Sequence, residues 1–147
     1  MRHNFRDLEV WKDSFSIVKS VYDICSQLPD EEKFGLKSQV QRCAVSIPSN
    51  IAEGSGRTSD KEFLHFLSIA ISSSYELETQ LLLIQDLFGI DINELIIKIQ
   101  SNQRMIGGLK RKLSQKTSVE YRFIPALSSY ECVFSLPSTY KGSPFFT

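Results

Sequence analysis

Gln39-Val-Gln-Arg42-Cys-Ala-Val-Ser46-Ile-Pro48-Ser-Asn50-Ile-Ala-Glu53-Gly54-Ser-Gly56-Arg57 is the stretch whose reading decides the fold. At helical spacing it has two faces. Leu36, Val40, Cys43/Ala44, Ile47, Ile51 and Gly54 recur every three or four residues and form an apolar stripe. Gln39, Arg42, Ser46, Asn50, Glu53 and Arg57 recur in the same way and form a polar one. The polar stripe is made of amides, a hydroxyl, a carboxylate and guanidiniums, groups suited to a hydrogen-bonded network at an interface or binding site. A solvent-facing surface is the plain alternative. The segment predicts a helix over about Leu36–Glu53, bent at Pro48, where the ring removes one backbone bond. Gly54 and Gly56 are expected to end it in the left-handed conformation.

On the N-terminal side, a helix is expected over about Leu8–Gln27. Leu8, Trp11, Phe15, Val18, Tyr22 and Cys25 mark its face, and Ile17, Val21, Ile24 and Leu28 widen it. Pro29 stops it. Asp30-Glu31-Glu32 then favour a new helix N-terminus by placing negative charge at the positive end of the helix dipole. On the C-terminal side, Ser59-Asp-Lys-Glu62 is a capping box that opens a third helix reaching about Phe88. That helix carries two apolar stripes. Phe63, Phe66/Leu67, Ala70, Leu77, Leu81, Ile84 and Phe88 form one, and Leu64, Ile71, Tyr75 and Leu82 form the other. Ser72-Ser73-Ser74 would let another helix come close. Gly89 ends the third helix, and Asp91-Ile-Asn-Glu94 opens a fourth with Leu95, Ile99, Ile106, Leu109 and Leu113 inward. Gly107-Gly108 inside it cost about 1 kcal/mol each relative to alanine, which implies a close backbone neighbour or a weakened helix.

Four amphipathic segments and three short connections predict an all-α, antiparallel up-down four-helix bundle over residues 1–116. Residues 117–147 are Ser-, Thr-, Pro- and aromatic-rich without a clear period, so they are expected to form an irregular or disordered C-terminal extension.

The central stretch also resembles the bacterial four-helix-bundle proteins of the 23S ribosomal RNA intervening-sequence family. The resemblance rests on Gln39, Arg42, Ser46, Pro48, Asn50, Ala52, Glu53, Gly54 and Arg57. Its flanks are Phe5, Leu8 and Trp11, then Pro29, Glu32 and Phe34-Gly35-Leu36, then Phe63, Phe66-Leu67, Ala70 and Glu76-Leu77-Glu78. It covers about residues 5–113 and implies a bundle that assembles into rings of five. It implies no defined activity, since the family name records where a gene lies. Related bundles assist the reverse transcriptases of diversity-generating retroelements, where RNA binding is the expectation. The tail departs from the family pattern.

A chain of 147 residues is one domain able to bury its own core. Basic and acidic side chains number 17 each, so any nucleic-acid signal must be local. Cys25, Cys43 and Cys132 show no metal or disulfide spacing. The polar opening carries no signal-peptide pattern, and no apolar run reaches the roughly 20 residues that span a bilayer. A cytoplasmic protein without membrane association is therefore expected.

Catalytic patterns are sparse. Di-iron bundles need two Glu-x-x-His pairs, and only Glu62-Phe-Leu-His65 is present, so neither metal nor cofactor is expected. Glu53-Gly-Ser-Gly-Arg57 lacks the Lys-Ser/Thr of a phosphate-binding loop. Asn50, Glu53 and Arg57 could act with Ser46 in a hydrolase or nuclease, yet no Ser/His pair accompanies them, which favours a structural network.

The topology groups the charges. One end would collect Arg2, Arg6, Arg57, Lys61, Arg104, Lys110, Arg111 and Lys112 against fewer acids. The other would collect Asp23, Asp30, Glu31, Glu32, Glu78, Asp86, Asp91 and Glu94 against Lys33, Lys37 and Lys98. A ring would repeat the basic end around a rim, to which RNA is a candidate partner; ordinary solvation of helix ends is the alternative. The second stripe of the third helix, Leu64, Ile71, Tyr75 and Leu82, is the expected contact between copies in a homo-oligomer. The expected function is a non-enzymatic ring-forming scaffold. An RNA-processing hydrolase, or an accessory factor with protein partners alone, are the alternatives, and the sequence names no such partner.

Overall fold

The computed structural model describes residues 4–29, 31–32 and 35–122, the last six in backbone only. Arg2 and the stretch from residue 123 onward, which holds most of the proposed tail, lie outside the described residues. A 3-10 turn at Phe5–Asp7 leads into α1 (Glu9–Ser26), α2 (Leu36–Ser55), α3 (Asp60–Phe88) and α4 (Asn93–Arg122). The helices pack in the cyclic order α1–α2–α3–α4–α1, and among the described residues the backbones of the diagonal pairs stay apart. This is the expected bundle, with no strand among the described residues. α4 continues past Lys116 to Arg122.

One stripe from each helix fills the core. Ile47 and Ile51 of α2, Leu67, Leu77, Leu81 and Ile84 of α3, and Ile99 and Ile106 of α4 are fully buried. In α1 the buried line is Val10, Ser14, Ile17, Val21 and Cys25, followed by Leu28. The aromatic side of the expected face is rotated outward instead. Phe15 and Tyr22 are 46% and 47% exposed. Trp11 is half-buried between Phe5, edge-on at 4.9 Å, and Phe15, stacked at 5.3 Å. Small β-branched residues fit the seam where α1 meets two neighbours, and bulky rings fit its flanks.

The caps follow local chemistry. Ser59 Oγ accepts from the Glu62 amide at 3.2 Å and donates to the Glu62 carboxylate at 2.9 Å. Gly89 closes α3 at φ +66°, and its amide donates to the Gln85 carbonyl at 2.9 Å. The Glu32 carboxylate accepts from the Leu36 amide at 3.1 Å, so one residue of the acidic run caps α2 directly. α2 runs through Pro48, where Ser49 Oγ and Asn50 Nδ2 donate to the carbonyls of Val45 and Ser46, each at 2.8 Å.

One glycine expectation is corrected and another is narrowed. Gly54 and Gly56 do not end α2 in the left-handed region: Gly54 is buried within the helix, and Gly56 has φ −83°. A β-carbon on Gly54 would lie 2.7 Å from both Phe63 Cδ2 and Phe66 Cβ, so close packing of α3 is what requires the glycine. Among the described residues Gly107 and Gly108 face no backbone, which leaves the weakened helix of the two alternatives. A β-carbon on either would meet only the Arg111 guanidinium, at 3.9 and 4.0 Å.

Candidate functional site

The polar stripe of α2 faces the α2/α3 seam. Ser46 Oγ and Ser73 Oγ share a hydrogen bond of 2.9 Å, which the serine run of α3 permits by keeping that wall low. Asn50 Nδ2 also donates to Ser46 Oγ at 3.0 Å. Glu53 pairs with Arg57, whose guanidinium lies 4.7 Å from the centre of the Phe66 ring. Gln39, Arg42 and Ser46 join Cys43, Ser73 and Glu76 around an open groove of about 420 Å³. The stripe therefore divides. Ser46 and Asn50 are half-buried in the seam, whereas Gln39, Arg42, Glu53 and Arg57 are exposed. Ser46 Oγ meets a hydroxyl and an amide, and Glu53 meets a guanidinium, so the stripe brings no base to a hydroxyl.

Burial, then the neighbouring Glu76 carboxylate, push the Cys43 thiol up to about 11. Burial also raises Cys25. Both are therefore poor nucleophiles at neutral pH. Among the described residues no three His, Cys, Asp or Glu side chains gather as metal ligands. The His65 ring lies edge-on to Phe66 at 5.7 Å. No described helix is long and apolar enough to cross a membrane.

A second groove, of about 670 Å³, runs between α3 and α4. Ile71, Tyr75, Gln100, Gln103, Arg104, Gly107 and Arg111 line it. Gln100 and Gln103 donate to the two oxygens of Glu78, at 2.9 and 2.7 Å. The second stripe of α3 borders this groove only in part. Leu64 and Ile71 are half-buried and pack against the chain's own core. Tyr75 and Leu82 remain 54% and 49% exposed.

The basic residues also fall into place. Lys116 pairs with Asp60 at 3.0 Å, which sets the late turns of α4 beside the start of α3 and hence near Lys61. Asn102 reaches the Val10 carbonyl at 3.1 Å, which sets α4 beside the start of α1. Arg104, Lys110, Arg111 and Lys112 follow along α4 toward the same end. Arg6 lies over the Phe5 ring at 4.9 Å. Among the described residues, Lys61, Arg104, Lys110, Arg111 and Lys112 have no carboxylate partner.

Sequence reasoning missed Glu76, Gln100 and Gln103 as groove residues, and Asn102 altogether. Asn102 is fully buried between Ile99 and Ile106 in register, and its amide also donates to the Asp13 carboxylate at 2.8 Å. Its place on the apolar face of α4 was the available signal.

The family model described as 23S rRNA-intervening sequence protein matches residues 6–108. No curated protein matches the chain.

Proposed function

The chain belongs to the 23S rRNA-intervening sequence protein family, and from that premise we propose that it is a non-enzymatic scaffold that forms rings and binds RNA through its basic end. The observation that carries the RNA reading is the set Lys61, Arg104, Lys110, Arg111 and Lys112. Lys61, Lys110, Arg111 and Lys112 lie toward the Asp60 end of the bundle and Arg104 midway along α4 beside Tyr75, all without carboxylate partners among the described residues. Unpaired cations raise the local concentration of a phosphate backbone and release its counterions, and a ring multiplies the effect. Assembly is supported by Leu82, Leu83 and Leu87 on α3, which are 49%, 47% and 65% exposed near the Gly89 end. Apolar side chains of that size are the usual material of a subunit contact. Five copies in a cytoplasmic ring are the arrangement proposed.

Incubating the purified protein with structured RNA and divalent cations tests the proposal. Retardation of intact RNA is the expected result. Cleavage abolished by Glu53→Gln would assign a nuclease instead. RNA neither bound nor cut would leave a scaffold whose partners are proteins.

A further inference from the structure

Among the described residues nothing packs closely enough on Gly107 or Gly108 to require a glycine. Glycine weakens a helix interior, and each position has room for a methyl group in ordinary contact with Arg111 alone. Gly107 instead lines the α3/α4 groove, half-buried between Arg104 and Arg111 on α4 and across from Tyr75 on α3, with the Arg111 guanidinium beside it. We propose that this groove seats a single-stranded segment of RNA, with phosphates on Arg104 and Arg111 and an unstacked base on Tyr75. The groove deepens the RNA reading given above and stands only with it.

The chemistry fits part by part. Arg104 and Arg111 lie two helical turns apart on one side of α4, about 10 Å at the helical rise. At that separation the two guanidiniums can hold phosphates of one strand on either side of an unstacked base. Arginine offers a planar fork of donors that matches phosphate oxygens. The exposed Tyr75 ring offers the stacking face on which sequence-tolerant single-strand binding relies. The Glu78 carboxylate beside the groove is held by amide donors from Gln100 and Gln103 and keeps its charge, so the two guanidiniums must outweigh it. The missing side chain at position 107 lets the ligand come down to the helix backbone. A cleft between two helices admits a splayed base and excludes the stacked interior of a duplex.

The test measures fluorescence anisotropy of the full chain with a labelled 12-nucleotide uridine RNA, the same length of RNA duplex, and uridine monophosphate. The single strand should bind at least ten-fold more tightly than either. Gly107→Leu should raise the melting temperature, since leucine favours the helix, yet weaken the single strand about ten-fold. Tyr75→Ala should weaken it about ten-fold, while Tyr75→Phe stays within two-fold. Replacing Arg104 and Arg111 with Gln should lower the slope of log affinity against log salt by about 1.4.

Several results would overturn the seat. One is a Gly107→Leu chain that binds as the native one does. Another is a Gly107→Leu chain that melts lower, since the fold itself would then require the glycine. Equal or tighter binding of the duplex or the monophosphate is a third. RNA binding lost in a Lys61, Lys110 and Lys112 triple alanine variant but unmoved by the groove variants would leave the RNA reading standing and remove the seat. A native chain that binds no RNA would remove both.

Discussion

A β-carbon on Gly54 would press at 2.7 Å on the buried Phe63 ring and on Phe66 Cβ, an atom bonded directly to the α3 backbone. Gly54→Ala should therefore destabilise the bundle by about 1–3 kcal/mol, the usual cost of overpacking, despite alanine's better helix propensity. Thermal melting followed by circular dichroism checks this, and an unchanged or higher midpoint would refute the packing role. Cys43 gives a pH prediction. Its thiol holds its proton more tightly folded than unfolded, so the contribution to stability is complete below the ordinary thiol range. It is lost as pH rises toward about 11. Cys25, raised by burial, acts in the same direction. Iodoacetamide at pH 8, read at Cys25 and Cys43 by peptide mass, should label a denatured control far faster than the folded chain, and equal rates would contradict the assignment.

At the scale of elements, Ser59 is the clearest single cap, bonded both ways to Glu62. Ser59→Ala should cost about 1 kcal/mol in urea unfolding, and no shift in midpoint would show that α3 starts without it. The positions of all four helices were legible in the sequence because caps, Pro29, Gly89 and the 3.6-residue period act locally. Which part of a broad apolar stripe turns inward was less legible. In α1 both lines fit the period, and contact with two neighbouring helices selected Ile17 and Val21 over Phe15 and Tyr22. The roles of Gly54 and Gly107 were hidden for a similar reason, since each depends on what another helix brings within reach or leaves open. Of the site, the polar stripe of α2 was visible, but its division at the seam rests on Ser73, a long-range partner no local pattern can supply.

For the whole molecule, Lys61, Lys110, Arg111 and Lys112 lie toward the Asp60 end of the bundle, and the exposed Leu82, Leu83 and Leu87 lie toward the Gly89 end. Assembly should fail in Leu87→Glu, because the contact would bury a carboxylate, while folding should survive at a site 65% exposed. Light scattering across a dilution series separates the outcomes: a native mass of one subunit at micromolar concentration would refute the ring, and an intact assembly in the variant would move the contact elsewhere.

The most direct measurement is the salt dependence of RNA binding by the native chain and by a variant with Lys61, Lys110 and Lys112 replaced by alanine. The scaffold reading predicts that log affinity falls linearly with log salt in the native chain, and that the variant binds more weakly with a shallower slope. An affinity and slope identical in the two proteins, or no retardation of RNA at any salt, would contradict it.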